Sequence, residues 1–441
     1  MIRPSRGHYC GSAEHLLNRR AFLGTATGAL LSGTAGLNML GTPAIAAEMK
    51  EDHKHAILIF LGGGASQFET WDPKPGRPTG GPFVSIPTSV PGYHVSELMP
   101  EMAKRLTRHT AVIRSVDTGN VDHAAGARVV LRGSRPENGA VKYPTLGAML
   151  ARELARRDST VPDHVALWTA TVGFPGMLND SPDAAGYLGS RWDAINILRA
   201  LSPAGNKLPE SLADLDHKER GELRDLLSRQ FSRGRERDAT LASHNDAYSR
   251  VRGLMASDRI FDISREPQQV RDRYGPTLFG QQALVARRLV EAGVPFVRLN
   301  RGWWDSHGEN FDIHQELVPE LDYVLSVLLD DLEQRGLLQD TLVITFSEMG
   351  RTPEINNLRG RDHFPRMSAT LSGCGIKPGV VHGKTDADGK DIAEGRVKVP
   401  QFFATIFQAL GIDPQKEYPA HDGRPVPLTD YKTEPVAEVL A

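Results

Sequence analysis

The sequence predicts an α/β fold in which a largely parallel central sheet is flanked by helices. Three observations predict it. Short apolar runs with the length of buried strands recur along the chain. Each leads straight into a loop rich in Gly, acids and hydroxyls. The run before the richest of these loops is joined to the next by one amphipathic helix, as in a right-handed crossover between parallel strands.

Taken in order, residues 1–47 read as a cleavable twin-arginine export signal. Asn18-Arg19-Arg20-Ala21-Phe22-Leu23 opens a Gly/Ala/Leu-rich stretch to Leu40, and Ala44-Ile45-Ala46 supplies the small residues of a cleavage site. Thr, Ser, Asn and Gly interrupt the stretch, leaving it too weakly apolar to span a membrane. The expected course is recognition by the twin-arginine machinery, cleavage, and a periplasmic or extracellular location for residues 48–441 as one domain. Cys10 would leave with the signal, so Cys374 has no internal disulfide partner. Losing four Arg and one Glu takes the net charge from −2 to about −5. No basic patch points to nucleic acid, and no second apolar stretch suggests a stable membrane span.

His55 to Leu61 is the first strand. Gly62-Gly63-Gly64 follows, allowing a tight turn or a close backbone approach to a ligand, with Glu69 and Asp72 further along the same loop. The spacing is neither a dinucleotide fingerprint nor a G-x-S-x-G elbow around Ser66. Ser96 to Arg108 reads as a short helix and Thr110 to Ser115 as a second strand; the loop beyond it carries Thr118, Asp122 and His123. A helix is expected over Tyr143 to Arg157, loops over Pro162 to Ala200, and a charged helical excursion across one side of the sheet over about 200–275. Gly280 to Gly293 is the helix leading back to a strand at Pro295 to Asn300, whose exit loop holds Asp305 and His307. Leu317, Leu321, Val324, Leu325, Leu328 and Leu332 mark a helix from Phe311 to Arg335, capped by Gly336. Thr341 to Phe346 is the next strand and ends near Glu348. The crossover places Asp305 and Glu348 on one edge of the sheet, where open α/β sheets hold ligands, and a turn between Gly360 and Pro365 can fold His363 back to it.

Several of these segments together carry a resemblance: Gly63 to Pro75, Gly302 to Gly308, Gly336 to Val343, Glu348 to Pro353, Gly360 to Pro365, Gly375 to Gly379, and Ala404 to Pro414. In them the chain resembles the DUF1501 family, which is placed in the alkaline phosphatase and sulfatase superfamily. The resemblance implies an alkaline-phosphatase-like three-layer sandwich. It also implies an acid after the first strand, at Glu69 or Asp72, and a hydroxyl nucleophile after the second, at Ser115 or Thr118. Asp305 with His307, then Glu348, then His363 complete the expected set. The chain departs from that pattern in having Glu348-Met349 where relatives often have Asp-His, and in placing its first acid several residues past the strand.

The expected metal ligands are thus Asp305, His307, Glu348, His363, Glu69 and Asp72. His123, Arg351 and Arg361 are candidates for binding an anionic substrate, and Asp362 for orienting His363 or pairing with an Arg. Glu348 has the alternative of pairing with Arg351. His314 reads as a polar residue of a helix cap, and His53, His55, His217, His244 and His421 as surface. A mixture of carboxylates and imidazoles favours Zn or Mn, with Mg or Ca at any second site. The reading is an exported metal-dependent hydrolase of phosphate or sulfate esters, acting on a small anionic ester or a sulfated or phosphorylated glycan. The alternative is an exported binding or scaffold protein that kept the fold without the chemistry. No C-x-P-x-R frame is present, and Cys374 lies far along the chain in Ser-Gly-Cys-Gly, which argues against a formylglycine sulfatase.

Overall fold

The computed structural model describes residues 53–135, 141–156, 161–169, 185–198 and 258–441, together with 226, 227, 230 and 231. The expected export signal at 1–47, and the helical excursion apart from residues 226, 227, 230, 231 and 258–275, lie outside the described residues.

The centre of the fold is β1 (His55–Leu61), buried at every position. Its side chains alternate between two cores, as the pleat of a strand requires. Ala56, Leu58 and Phe60 enter one, and Ile57, Ile59 and Leu61 the other. A strand apolar on both faces is what a sheet covered by helices on both sides demands. In chain order there follow α1 (Pro100–His109), β2 (Thr110–Asp117), α2 (His123–Leu131), α3 (Leu146–Leu154), β3 (His164–Trp168), β4 (Ile195–Leu198), α4 (Leu278–Glu291) and β5 (Phe296–Arg301). The chain continues through α5 (Asn310–Gln334), β6 (Thr341–Phe346), β7 (Arg366–Gly373), β8 (Val381–His382), β9 (Val397–Lys398) and α6 (Val399–Ala409).

The main sheet has the order β8-β2-β7-β6-β1-β5-β3-β4, with β9 also on β2. Only β7 runs antiparallel, against β2 and β6. Residues of α2, α3 and α6 share the first core; those of α1, α4 and α5 share the second. This is the expected three-layer sandwich. The crossover from β5 through α5 to β6 brackets β1, whose Ile57 is registered with Val297 on one side and Val343 on the other. The strand ends of β1, β2, β5 and β6 therefore share one edge, and β7 starts from it because it runs the other way.

The helices that carry this edge are tied together. Met99 gives α1 no side-chain cap. Asp322 of α5 instead accepts the exposed N–H groups of Glu101 at 2.8 Å and Met102 at 2.7 Å, the task an N-cap side chain normally performs.

Some expectations shift. The segment read as loops between Pro162 and Ala200 holds β3 and β4, both parallel additions to the sheet. The second strand runs on to Asp117, and the first helix begins at Pro100. His55, expected at the surface, is buried in β1 with Nδ1 2.9 Å from the carbonyl of Val294, because the strand needs a donor or acceptor where it enters the sheet.

Candidate metal centre

The exits of β1 and β5 are pressed together at the shared edge. A Cβ on Gly63 would stand 2.6 Å from the backbone nitrogen of Asp305, and Gly63 has φ +113, so only glycine fits. Its N–H donates to Glu348 Oε1 at 2.8 Å. The glycine run is thus a packing device that brings three loops into contact. Arg351 clamps the same junction, donating to the carbonyl of Gly64 at 2.8 Å, to that of Gly63, and to Asp305 Oδ1 at 2.7 Å.

On this platform His123, Asp305, His307 and His363 gather, each offering a ligand atom within 4.8 Å of the others. His123 Nε2 lies 3.1 Å from Asp305 Oδ2. His307 Nε2 and His363 Nε2 lie 3.2 and 3.5 Å from Asp305 Oδ1 and only 2.8 Å from each other. The far nitrogen of every ring faces an acceptor: His123 Nδ1 faces Glu348 Oε1 at 2.8 Å, His307 Nδ1 faces Asp362 Oδ1 at 2.7 Å, and His363 Nδ1 faces the carbonyl of Val121 at 2.6 Å. With the ring proton on Nδ1 and donated to these acceptors, each Nε2 lone pair turns toward a common point, the orientation that outer partners impose on metal-ligating histidines. Neutral rings so arranged repel each other unless a cation or an extra proton stands between them.

Electrostatics agrees. Burial opposes protonation of His123, but Asp305 and Glu348 outweigh it and push its pKa up to about 9. Burial likewise opposes ionisation of Asp305, and His123, His363 and Arg351 override it, holding the carboxyl well below the ordinary range. The site thus favours positive charge at its centre. His123 Nε2 is buried and faces the Asp305 carboxylate at 3.1 Å, the close approach that two ligands of one metal make. Three imidazole nitrogens and one carboxylate oxygen fit Zn or Mn better than the all-oxygen shells of Mg or Ca. His307 is 45% exposed at its side chain, so one side of the centre is open to a further ligand.

The remaining candidates take other places. Glu348, expected as a ligand, is fully buried and lies outside the cluster: its Oε1 accepts from Gly63 N–H and faces His123 Nδ1, on the side of the ring away from Asp305, while its Oε2 has no partner. Glu69 is paired at 2.9 Å with Arg361, both side chains fully buried. Asp72 is held by Lys74 at 3.0 Å, Arg114 at 3.3 Å and the hydroxyl of Thr385. Neither acid belongs to the cluster. Arg351 and Arg361, expected to meet a substrate, have no exposed surface: backbone carbonyls and carboxylates consume their donors. Ser115 donates to the carbonyl of Gly395 at 2.5 Å and is buried. The Thr118 hydroxyl lies 3.0 and 3.1 Å from the carbonyls of Asn120 and Pro365. Asp362 orients His307, where His363 was expected. His314 is buried inside the first turns of α5, with Nδ1 2.8 Å from the carbonyl of Asn310 and Nε2 3.0 Å from the N–H of Ser66. His123, read as a substrate contact, joins the cluster of possible ligands; its signal in the sequence is Asp-His at the end of the short loop that leaves a strand.

The family profile of DUF1501, described as proteins of unknown function, matches residues 53–440, and the chain belongs to that family. No curated protein matches it. Among solved structures, a protein in the alkaline phosphatase superfamily from Vibrio parahaemolyticus is 12% identical, with 82% of this chain and 67% of that chain covered and a TM-score of 0.38. A sulfatase from Pseudoalteromonas sp. is 12% identical, with 83% and 70% covered and a TM-score of 0.37. The TAB5 alkaline phosphatase, in a mutant form with Mg bound, is 12% identical, with 81% and 98% covered and a TM-score of 0.37.

Proposed function

We propose that this DUF1501 protein holds one divalent cation between His123, Asp305, His307 and His363 and hydrolyses a phosphate or sulfate ester there. The observation that carries the reading is the convergence of those ligand atoms within 4.8 Å with each far ring nitrogen already anchored. When bound, such a cation neutralises charge on a transferring phosphoryl or sulfuryl group and lowers the pKa of coordinated water.

The chain supplies the rest. Arg351 fixes Asp305, while Glu348, Asp362 and the Val121 carbonyl fix the rings. His123 is the first residue of α2, so the N-terminal end of that helix, with its partial positive charge, borders the centre and favours an anionic ligand. With Ser115 and Thr118 engaged by backbone carbonyls, attack by water is favoured over a covalent intermediate on either hydroxyl. Export by the twin-arginine route completes the reading, motivated by Arg19-Arg20 and Ala44-Ile45-Ala46.

The test is metal analysis and Zn or Mn calorimetry on chelator-treated full-length protein, followed by hydrolysis assays with 4-nitrophenyl phosphate and 4-nitrophenyl sulfate. One ion per chain, lost in Asp305→Ala and His307→Ala, and hydrolysis abolished by the same changes are expected. Full activity in both variants would refute the assignment; one bound ion without any ester hydrolysis would leave a binding protein. Hydrolysis that survives in Ser115→Ala and Thr118→Ala supports the water route.

A further inference from the structure

Large apolar side chains are exposed on the loops that carry and support the cluster. Trp303, two residues before Asp305, is 52% exposed; Val121, whose carbonyl holds His363, is 47% exposed; Leu358 is 67% exposed. Leu358 belongs to the loop packed on the His307 turn, with its carbonyl 3.0 Å from the N–H of Glu309. The backbone of these loops is also strained: Trp303 has φ +76, and Glu309 and Arg359 have φ +50 and +55. A bulky residue in the left-handed region is an outlier, and strain of this kind gathers where function requires a fixed geometry. Position 303 would be relaxed as glycine, and the sequence places the largest side chain there, half in water. Its neighbour Trp304, by contrast, is fully buried, so core packing accounts for one of the two indoles and not the other.

We infer that Trp303, on the loop that carries Asp305, is a stacking platform for the ring of the alcohol part of the ester whose anionic group occupies the metal centre. The inference rests on the metal reading above and adds the substrate class: an ester whose alcohol presents a flat ring face, aryl or pyranose, in preference to a small alkyl ester. An indole offers a wide, rigid apolar face that stacks on such rings with little loss of side-chain freedom.

Phosphonates, which carry a carbon–phosphorus bond in place of the ester oxygen, separate binding from turnover. On Zn-loaded full-length protein, calorimetry should find phenylphosphonate bound about three- to tenfold tighter than methylphosphonate, the range that one aromatic contact supplies. Trp303→Ala should erase that advantage and leave methylphosphonate unchanged, and Trp303→Phe should keep most of it. Trp303→Gly, which the positive φ accommodates, should behave as Trp303→Ala and guards against a folding defect. A glucose 6-phosphonate that shares the advantage assigns a sugar ring; phenylphosphonate alone assigns an aryl ring. The platform is overturned if wild type shows no preference for the ring, or if the preference survives in Trp303→Gly. Wild type that binds phenylphosphonate but not methylphosphonate, with loss in Trp303→Gly, would retain the platform and sink the metal-ester reading. Binding of neither probe would overturn both.

Discussion

Two knots of charge lie in neighbouring loops at the same sheet edge and are wired in opposite ways. In the knot around Arg361 every donor meets an acceptor: Glu69 Oε1 at 2.9 and 3.1 Å and the carbonyls of Thr352, Pro353 and Thr79 at 3.0, 2.7 and 2.7 Å. In the knot around Asp305, two ring nitrogens with their lone pairs turned inward stand 2.8 Å apart. The first arrangement spends all its donors inside the protein, leaving Glu69 Oε2 without a partner, and serves the scaffold. The second is incomplete by itself, and its members are held in place from behind by Glu348, Asp362 and Arg351. Ligand-type residues that repel each other while their outer atoms are satisfied identify a site better than charge or burial does.

The sharpest way to break this contrast is to remove Arg361. Arg361→Leu leaves Glu69 buried without a partner and should cost about 3–5 kcal/mol in denaturant unfolding; a loss below about 1 kcal/mol would mean that the scaffold knot is no more structural than the other. Next comes His314, set between them. Burial chiefly, with Arg351 and Arg361 adding and Glu69 opposing, pushes its pKa down to about 4. The unfolded chain then binds more protons than the folded one between about pH 4 and the ordinary histidine value near 6.5. Stability from this residue is complete above about pH 6.5 and falls as pH drops toward 4, by on the order of 3 kcal/mol for the pKa displacement given. Melting curves across that range should show the slope, and His314→Gln should flatten it.

For the metal knot the expected effects run in the other direction. Zn at a hundredfold excess over its dissociation constant should stabilise wild type by about 2.7 kcal/mol, and His307→Ala should abolish that gain. Without metal, His307→Ala should change stability by less than about 0.5 kcal/mol, because it removes a repulsion and half of the side chain is in water. A metal-free loss as large as that of Arg361→Leu would erase the distinction. The smallest effect is that of Asp362→Asn, which loosens the His307 ring and should weaken Zn binding about tenfold; unchanged calorimetry would remove Asp362 from the orienting set.

Much of this was legible in the chain itself. The apolar runs of β1, β5 and β6 and the helical spacing from Leu317 to Leu332 specify parallel strands around a crossover, and that topology alone delivers Asp305 and His307 to the ligand edge. His363 arrives because β7 reverses direction, which a Gly/Pro-bounded turn foreshadows. The roles of the other acids were not legible. Glu348 as ligand and Glu348 as the partner of an imidazole look the same in sequence, and only its contacts with the Gly63 N–H and His123 Nδ1 separate them. Arg351 and Arg361 read as substrate-binding because sequence does not reveal that carbonyls of three loops surround them. The strands at His164–Trp168 and Ile195–Leu198 are short and lie among Pro, Gly and Asp, so pairing, of the first with β5 and of the second with the first, decides their conformation and not local pattern.

The distances along the chain between the parts of the centre have a kinetic consequence. His123 and Glu348 are 225 residues apart, and Val121 and His363 are 242 apart. Contacts that close such long loops form late, after the intervening strands have paired. An ion therefore has nothing to template: in contrast with small zinc modules, whose folding is the act of binding, this chain must be finished before it can be filled. Zn added during refolding should leave the refolding rate unchanged and slow only unfolding, the signature of an interaction absent from the transition state. It follows that the site can be filled at any time after folding, so that folding itself does not fix where, or by which ion, it would be occupied.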